Sequence, residues 1–292
     1  MLAIIVCFER AIEDQTISLL RSIKRYLKID DFTVFAIAPR AGHEPTQAAI
    51  AEAESLGATY IPRVLNSRYA DYPLANKPIA CDFVAREIAA DHYLFLDSDT
   101  LFLNDTVFAL PSDCDAGLRR VDAKNVGATS FAEPNGPYWE KLYKITGAVP
   151  RRWITPSGGG DEILEYYNSG FVLIRDPDIF TNWMQNFRQV METDIRPEQG
   201  LFFTEQSVLA ATITAMADTI FTLPNDLNYP IHHHEKLLDD LRAGETGKLR
   251  HIHYHRRFKD PKSRESRLRE NGFGDRTPEI LDLLHWPDAT ST

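Results

Sequence analysis

Cysteine is scarce in this chain. Its three residues, Cys7, Cys81 and Cys114, are scattered and odd in number. Neither a disulfide framework nor a Cys-x-x-Cys metal site follows, and a reducing compartment is expected. Positive charge is short as well: 32 Lys and Arg against 42 Asp and Glu give a net charge of −10. Such a chain is a poor candidate for nonspecific nucleic-acid binding, which needs a basic field. Long apolar runs are missing. Residues 2–8, LAIIVCF, are too short to span a bilayer and lack the basic segment that opens a signal peptide. They read as a buried first strand, and a cytoplasmic protein is expected. There is no internal repeat, no low-complexity linker and no clear domain boundary. The Gly-rich stretch SGGGD, 157–161, lacks the Gly-Lys-Ser/Thr of a phosphate loop and reads as a flexible lid over an acceptor.

What is present is an alternation. The chain has 292 residues, 43% of them hydrophobic, enough for a sizeable core. Strand-like runs at 2–8, 32–38, 58–61 and 92–97 are separated by helical patterns at 12–27, 45–56 and 74–90. Strands and helices in this order predict βαβ units and a mainly parallel sheet. Further on, 166–177 reads as a strand, 249–261 as a short His-rich strand leading into a basic turn, and 178–192, 204–217 and 277–285 as helices. HEKLLDDLRAGE, 234–245, reads as a polar helix.

The fourth strand ends in DHYLFLDSDTLFLND, 91–105, where Asp97 and Asp99 follow an apolar run. Ligands of parallel α/β sheets bind beyond the carboxyl ends of the strands. Two carboxylates one residue apart at such an end can face one hard cation, and Mn²⁺ or Mg²⁺ prefers oxygen ligands while keeping positions open for phosphate. The plainer reading has Asp97 capping a turn and Asp99 solvated. A third has Asp97 as the nucleophile of a haloacid-dehalogenase-like phosphatase. That reading wants Thr or Val where Leu101 stands, and a downstream Lys and acidic pair at a strand end, whereas the available Asp239-Asp240 pair lies in the polar helix.

Four blocks, in order, resemble GT-A glycosyltransferases, above all the retaining family eight of galactosyl-, glucosyl- and glycogenin-like enzymes. YLFLDSDTLFL resembles the metal-binding Asp-x-Asp strand. YYNSGFVLI resembles the Asn-(Ala/Ser)-Gly strand facing the donor sugar. FTEQSVLAA resembles the acid-Gln pair at a helix head near the reacting carbon. HIHYHRRFKDP resembles the closing His-x5-Lys-Pro segment, although Arg256 stands where the family has Gly and Lys259-Asp260-Pro261 replaces Lys-Pro-Trp. The resemblance implies one α/β domain of GT-A type. Residues 1–104 would form the nucleotide-binding half, 105–262 the donor-sugar and acceptor half, and 263–292 a C-terminal extension.

The same resemblance implies the roles. Asp97, Asp99 and His253 would hold Mn²⁺ or Mg²⁺ against the diphosphate of a nucleotide-sugar, with a UDP-sugar favoured. Phe8, Lys77, Ser98, Asn168, Ser169 and Lys259 would bind the donor. Glu205 and Gln206 would lie beneath the anomeric carbon, and transfer to a glycan or small-molecule acceptor would retain configuration. A catalytically silent nucleotide- or glycan-binding module would keep the same motifs. His251, His253 and His255 alternate, so a strand would put all three on one face, which leaves open a Zn²⁺ site made of the three. The run IHHHE, 231–235, reads as a loop near the acceptor. Lys77 stands at a helix N-terminus, where its charge opposes the dipole and a phosphate partner would explain it. The basic segment 256–269 would meet a diphosphate, an anionic acceptor or a membrane surface peripherally, or form a solvated helix face.

Overall fold

The computed structural model describes residues 1–239, 242, 246–255, 257–258 and 260–284; Arg256, Lys259 and Asp240 lie outside these. The N-terminal half follows the predicted alternation. β1 (Leu2–Cys7), β2 (Phe32–Ile37), β3 (Ala58–Ile61) and β4 (His92–Leu96) are parallel, joined by α1 (Glu13–Tyr26), α2 (Gln47–Ser55) and α3 (Asn76–Glu87). β5 (Thr100–Phe102), β6 (Ala116–Leu118) and α4 (Gly136–Thr146) follow, then the β7 (Trp153–Ile154) and β8 (Ile163–Leu164) ribbon. β9 (Phe171–Ile174), α5 (Asp178–Met191), α6 (Thr204–Met216) and β10 (Ile220–Thr222) come next. β11 (Tyr229–Pro230), β12 (His251–His253), α7 (Pro261–Glu270) and α8 (Thr277–Leu283) complete the chain.

The central sheet runs β10-β6-β9-β4-β1-β2-β3. It is mainly parallel, except that β9 is antiparallel to both β4 and β6. β1 is buried on both faces, as its unbroken apolar run requires. Leu2, Ile4 and Val6 join the core under α1, while Ala3, Ile5 and Cys7 join the core under α3 and α5. Thr46 caps α2 by accepting the Ala49 N–H at 3.0 Å.

A second, small sheet β11-β12-β5 decides what surrounds the Asp-x-Asp turn. The chain leaves β4, turns through Asp97-Ser98-Asp99 and enters β5, which pairs antiparallel with β12 so that His253 faces Thr100. On the other side β9 pairs with β4, and the Asp97 N–H donates to the Gly170 carbonyl at 2.9 Å. Segments more than seventy residues distant are thereby laid against one turn.

Several local expectations are corrected. The strand at 166–177 shrinks to β9, and the polar helix expected at 234–245 opens instead in a 3₁₀ turn, Ile231–Lys236; its positions 240, 241 and 243–245 lie outside the described residues. The SGGGD stretch is clamped, not a free lid: Ser157 and Gly158 donate to the Val121 and Asp122 carbonyls, and a Cβ on Gly158 would lie 2.6 Å from the latter. All three cysteines are buried and free.

Candidate active site

Beyond the carboxyl edge of β1 and β4 lies a cavity of about 630 Å³. Of the residues singled out in the sequence, Lys77, Asp97, Ser98, Asp99, Asn168, Glu205, Gln206 and His253 line it. Phe8 is not brought there: its ring is fully buried, edge-on to Tyr60, and its neighbours Cys7 and Glu9 reach the cavity instead. Ser169 sits just behind the wall as a buried bridge, and Lys259 lies outside the described residues.

At the inner end, the Lys77 ammonium lies 2.8 Å and 2.9 Å from the two Asp97 oxygens and 3.4 Å from Glu205 Oε1. It also donates to Ser169 Oγ at 3.2 Å, and that hydroxyl donates to Glu205 Oε1 at 3.1 Å. The cation expected to need a phosphate is thus already matched by two carboxylates, Glu205 buried and Asp97 partly buried. Burial pushes Glu205 above its ordinary range, although Lys77 pulls the other way. Asn168 uses its amide oxygen inward, accepting from the Gly170 N–H at 2.8 Å and from Asn228 Nδ2 at 3.0 Å. Gly170 is required here for space: a Cβ would stand 2.8 Å from His253 Cε1 and 2.9 Å from both Asn168 Oδ1 and Asp97 Oδ2.

At the outer end, His253 Nε2 lies 3.2 Å from Asp99 Oδ1 and 3.8 Å from Asp97 Oδ2. His255 Nδ1 is 3.5 Å from Asp99 Oδ2. Burial works to lower His253, but the Asp99 and Asp97 carboxylates outweigh it and its pKa is raised. Burial likewise works to raise Asp99, and His253 with His255 holds it well below the carboxylate range. The three imidazoles do not share a strand face. β12 ends at His253, and His255 adopts a left-handed backbone, φ 49°, that turns it toward the cavity. His251 instead packs between Phe102 and Phe171, with ring centroids 4.4 and 5.3 Å away.

The donor set fits a divalent cation. Ligand atoms of Asp99, His253 and His255 lie within 4.8 Å of one another, and Asp97 borders them. Burial and the neighbouring imidazoles drive His232 down to about 2, so it is neutral, and its buried Nδ1 has no hydrogen-bond partner among the described residues. Two carboxylates with imidazole nitrogens are ligands that Mn²⁺ accepts readily. A three-histidine site including His251 does not form, because His251 turns away.

Sequence reasoning missed several lining residues. Glu9 and Arg40 form a buried fork across the ends of β1 and β2, Arg40 Nη2 lying 2.6 Å from Glu9 Oε2. Glu9 carried the same signal as Asp97, an acid directly after an apolar strand. The 231–235 segment, expected to lie near an acceptor, lays His232 against His255, ring centroids 3.9 Å apart. Phe202, 65% exposed on the 3₁₀ turn before α6, lines the mouth.

The chain matches the profile of the Rhodobacterales glycosyltransferase domain over residues 3–217. The chain belongs to this glycosyltransferase family. Solved structures agree on the fold. The galactosyltransferase LgtC, solved with donor and acceptor sugar analogues, is 15% identical with a TM-score of 0.54, over 97% of this chain and 95% of that one. GlyE of Streptococcus pneumoniae is 15% identical with a TM-score of 0.56, over 98% of this chain and 66% of that one. The bifunctional glycosyltransferase WbbM is 12% identical with a TM-score of 0.56, over 97% of this chain but 51% of that one. No curated protein matches the sequence. The fold is therefore GT-A, and the phosphatase alternative is not favoured for this glycosyltransferase. Among the described residues no helix is long and apolar enough to cross a membrane.

Proposed function

We propose that this glycosyltransferase moves a sugar from a nucleotide-diphospho-sugar, with a UDP-sugar favoured, to a glycan or small-molecule acceptor, with Mn²⁺ or Mg²⁺ held by Asp97, Asp99 and His253. The observation that carries the reading is the convergence of these three residues with Lys77, Asn168, Glu205 and Gln206 on one cavity at the sheet's carboxyl edge. When bound, the cation supplies Lewis-acid help to the departing diphosphate. Lys77 places its ammonium between the Asp97 and Glu205 carboxylates at the inner end of the cavity. Ser98 lies in the turn between the two acids, where its backbone meets the donor. Asn168 orients sugar hydroxyls through its amide nitrogen, since its oxygen is already engaged. Ser169 acts from behind the wall by fixing Glu205 and Gln206. These last two, heading α6, stand beneath the reacting carbon, and retention follows from the resemblance to family eight. The carry-over of Lys259 to the diphosphate rests on its sequence spacing alone.

Calorimetric titration with UDP and GDP, with and without Mn²⁺, tests the reading. UDP should bind in an Mn²⁺-dependent way, and Asp99→Asn and His253→Ala should each weaken it at least about tenfold. His255→Ala should weaken it less and His251→Asn hardly at all. Parent-like binding in both Asp99→Asn and His253→Ala would remove the metal assignment. Release of UDP from a UDP-sugar, faster with an acceptor, would separate turnover from silent binding.

A further inference from the structure

The cavity does not end at Phe202. A groove of about 830 Å³ continues outward from it, lined by Phe202, His232, His255, Arg257, Arg267 and Glu270. Phe202, His232 and His255 line both spaces, so the two adjoin across these side chains. The inner cavity holds Glu205 and Gln206, and Phe202 precedes Glu205 by three residues at the head of α6. A molecule reaching the reacting carbon from outside would pass over the Phe202 ring.

The groove's chemistry is specific. Phe202 is 65% exposed, so its ring face is open to a ligand at the mouth. A flat exposed aromatic beside a polar cavity suits the apolar C–H face of a sugar ring. Beside it stand two guanidinium groups, both half-buried and both fixed by main-chain carbonyls: Arg257 Nη2 donates to His232 O at 3.1 Å, and Arg267 Nη1 donates to Arg257 O at 3.1 Å. Anchoring by neutral carbonyls positions the charge without cancelling it. Among the described residues the Glu270 carboxylate lines the same groove against these two cations, and Asp260 feels the charge of Arg267. In a chain of net charge −10, a preorganised positive pair at the mouth marks a place where an anion is received.

We propose that this groove is the acceptor subsite and that it takes a sugar bearing a carboxylate or phosphate, with the ring on Phe202 and the anion on Arg257 and Arg267. The inference rests on the glycosyltransferase reading of the cavity for its direction, but its chemistry can be measured without turnover. Saturation-transfer NMR on the full chain would compare methyl α-D-glucoside, methyl α-D-glucuronide and glucose 6-phosphate. The charged sugars should bind about tenfold more tightly than the neutral one, the gain of one charge-assisted pair. Which of the two binds better distinguishes carboxylate from phosphate. In the Arg257→Gln/Arg267→Gln double variant, the charged sugars should fall to the neutral sugar's level. The neutral glycoside, measured on the same sample, separates this from misfolding. Phe202→Ala should weaken all three alike. Equal binding of charged and neutral sugars by the parent, no saturation transfer from any of them, or a preference that survives the double substitution would each overturn the proposal. So would sedimentation with phosphatidylglycerol vesicles in the absence of any charged-sugar preference, which would reassign the surface to a membrane. A UDP–Mn²⁺ titration run in parallel keeps the two readings apart, since failure to bind UDP would count against the donor site and not against the sugar preference.

Discussion

Replacing Lys77 by Met keeps the stem and removes the charge. Lys77 is 13% exposed at its side chain, Asp97 16% and Glu205 4%, so the ammonium is the counter-charge of two largely buried carboxylates. Removing one partner of such a group, and leaving the other uncompensated, costs about 3–5 kcal/mol. For 292 residues the unfolding entropy near Tm is about 0.6 kcal/mol/K, so Tm should fall by about 5–8 °C. The loss should depend on pH. Glu205 is already raised by burial, with Lys77 opposing the rise. Without Lys77 the folded-state pKa climbs further above the unfolded value near 4.5. The folded protein then holds more protons than the unfolded chain between those two values, so the variant regains stability as pH falls through its folded pKa toward the unfolded value and is worst at high pH. Urea unfolding of parent and variant at pH 8 and pH 5.5 measures this. A deficit below about 1 kcal/mol, or one of equal size at both pH values, would refute the claim that Lys77 supports these carboxylates.

Gly170→Ala inserts a methyl between His253, Asn168 and Asp97, each within 2.9 Å of it. It should cost about 1–3 kcal/mol as overpacking and weaken Mn²⁺-dependent UDP binding by more than its small size suggests; parent-like calorimetry would mean that the site yields easily. His251 is buried and its pKa lies well below 6.5, so the unfolded chain takes up a proton that the folded protein refuses. The parent should therefore lose up to about 1.4 kcal/mol per pH unit below about 6.5 through this group. His251→Asn should lack that component, and parallel stability–pH curves for the two proteins would exclude it.

Much of this protein was legible before its structure. Apolar runs located β1 to β4, because a strand buried on both faces must read as one, and the helices between them followed from a 3.6-residue apolar face at 12–27 and an Ala- and Glu-rich stretch at 45–56. The Asp-x-Asp pair announced itself because acids are costly directly after a buried strand. Short strands were harder. β9 and β12 are four and three residues long, too brief for a period to emerge. The direction of β9, opposite to its neighbours, leaves no mark on composition. Alternation suggested that His251 and His255 were equivalent, yet the strand stops at His253 and a left-handed turn at His255 separates their fates. Glu9 with Arg40, and Phe202 with Arg257 and Arg267, are pairings across the fold. Local sequence determined which residues had to be buried, which strand ended in acids and which segments were helical, since those follow from each residue's own solvation and backbone preference. Only the tertiary structure decided that Lys77 answers Asp97 and Glu205, that His255 turns toward Asp99 while His251 enters the core, and that a basic groove opens beside Phe202. Those outcomes depend on the register of β12 against β5 and of β9 against β4, and register is settled by the packing of the whole sheet.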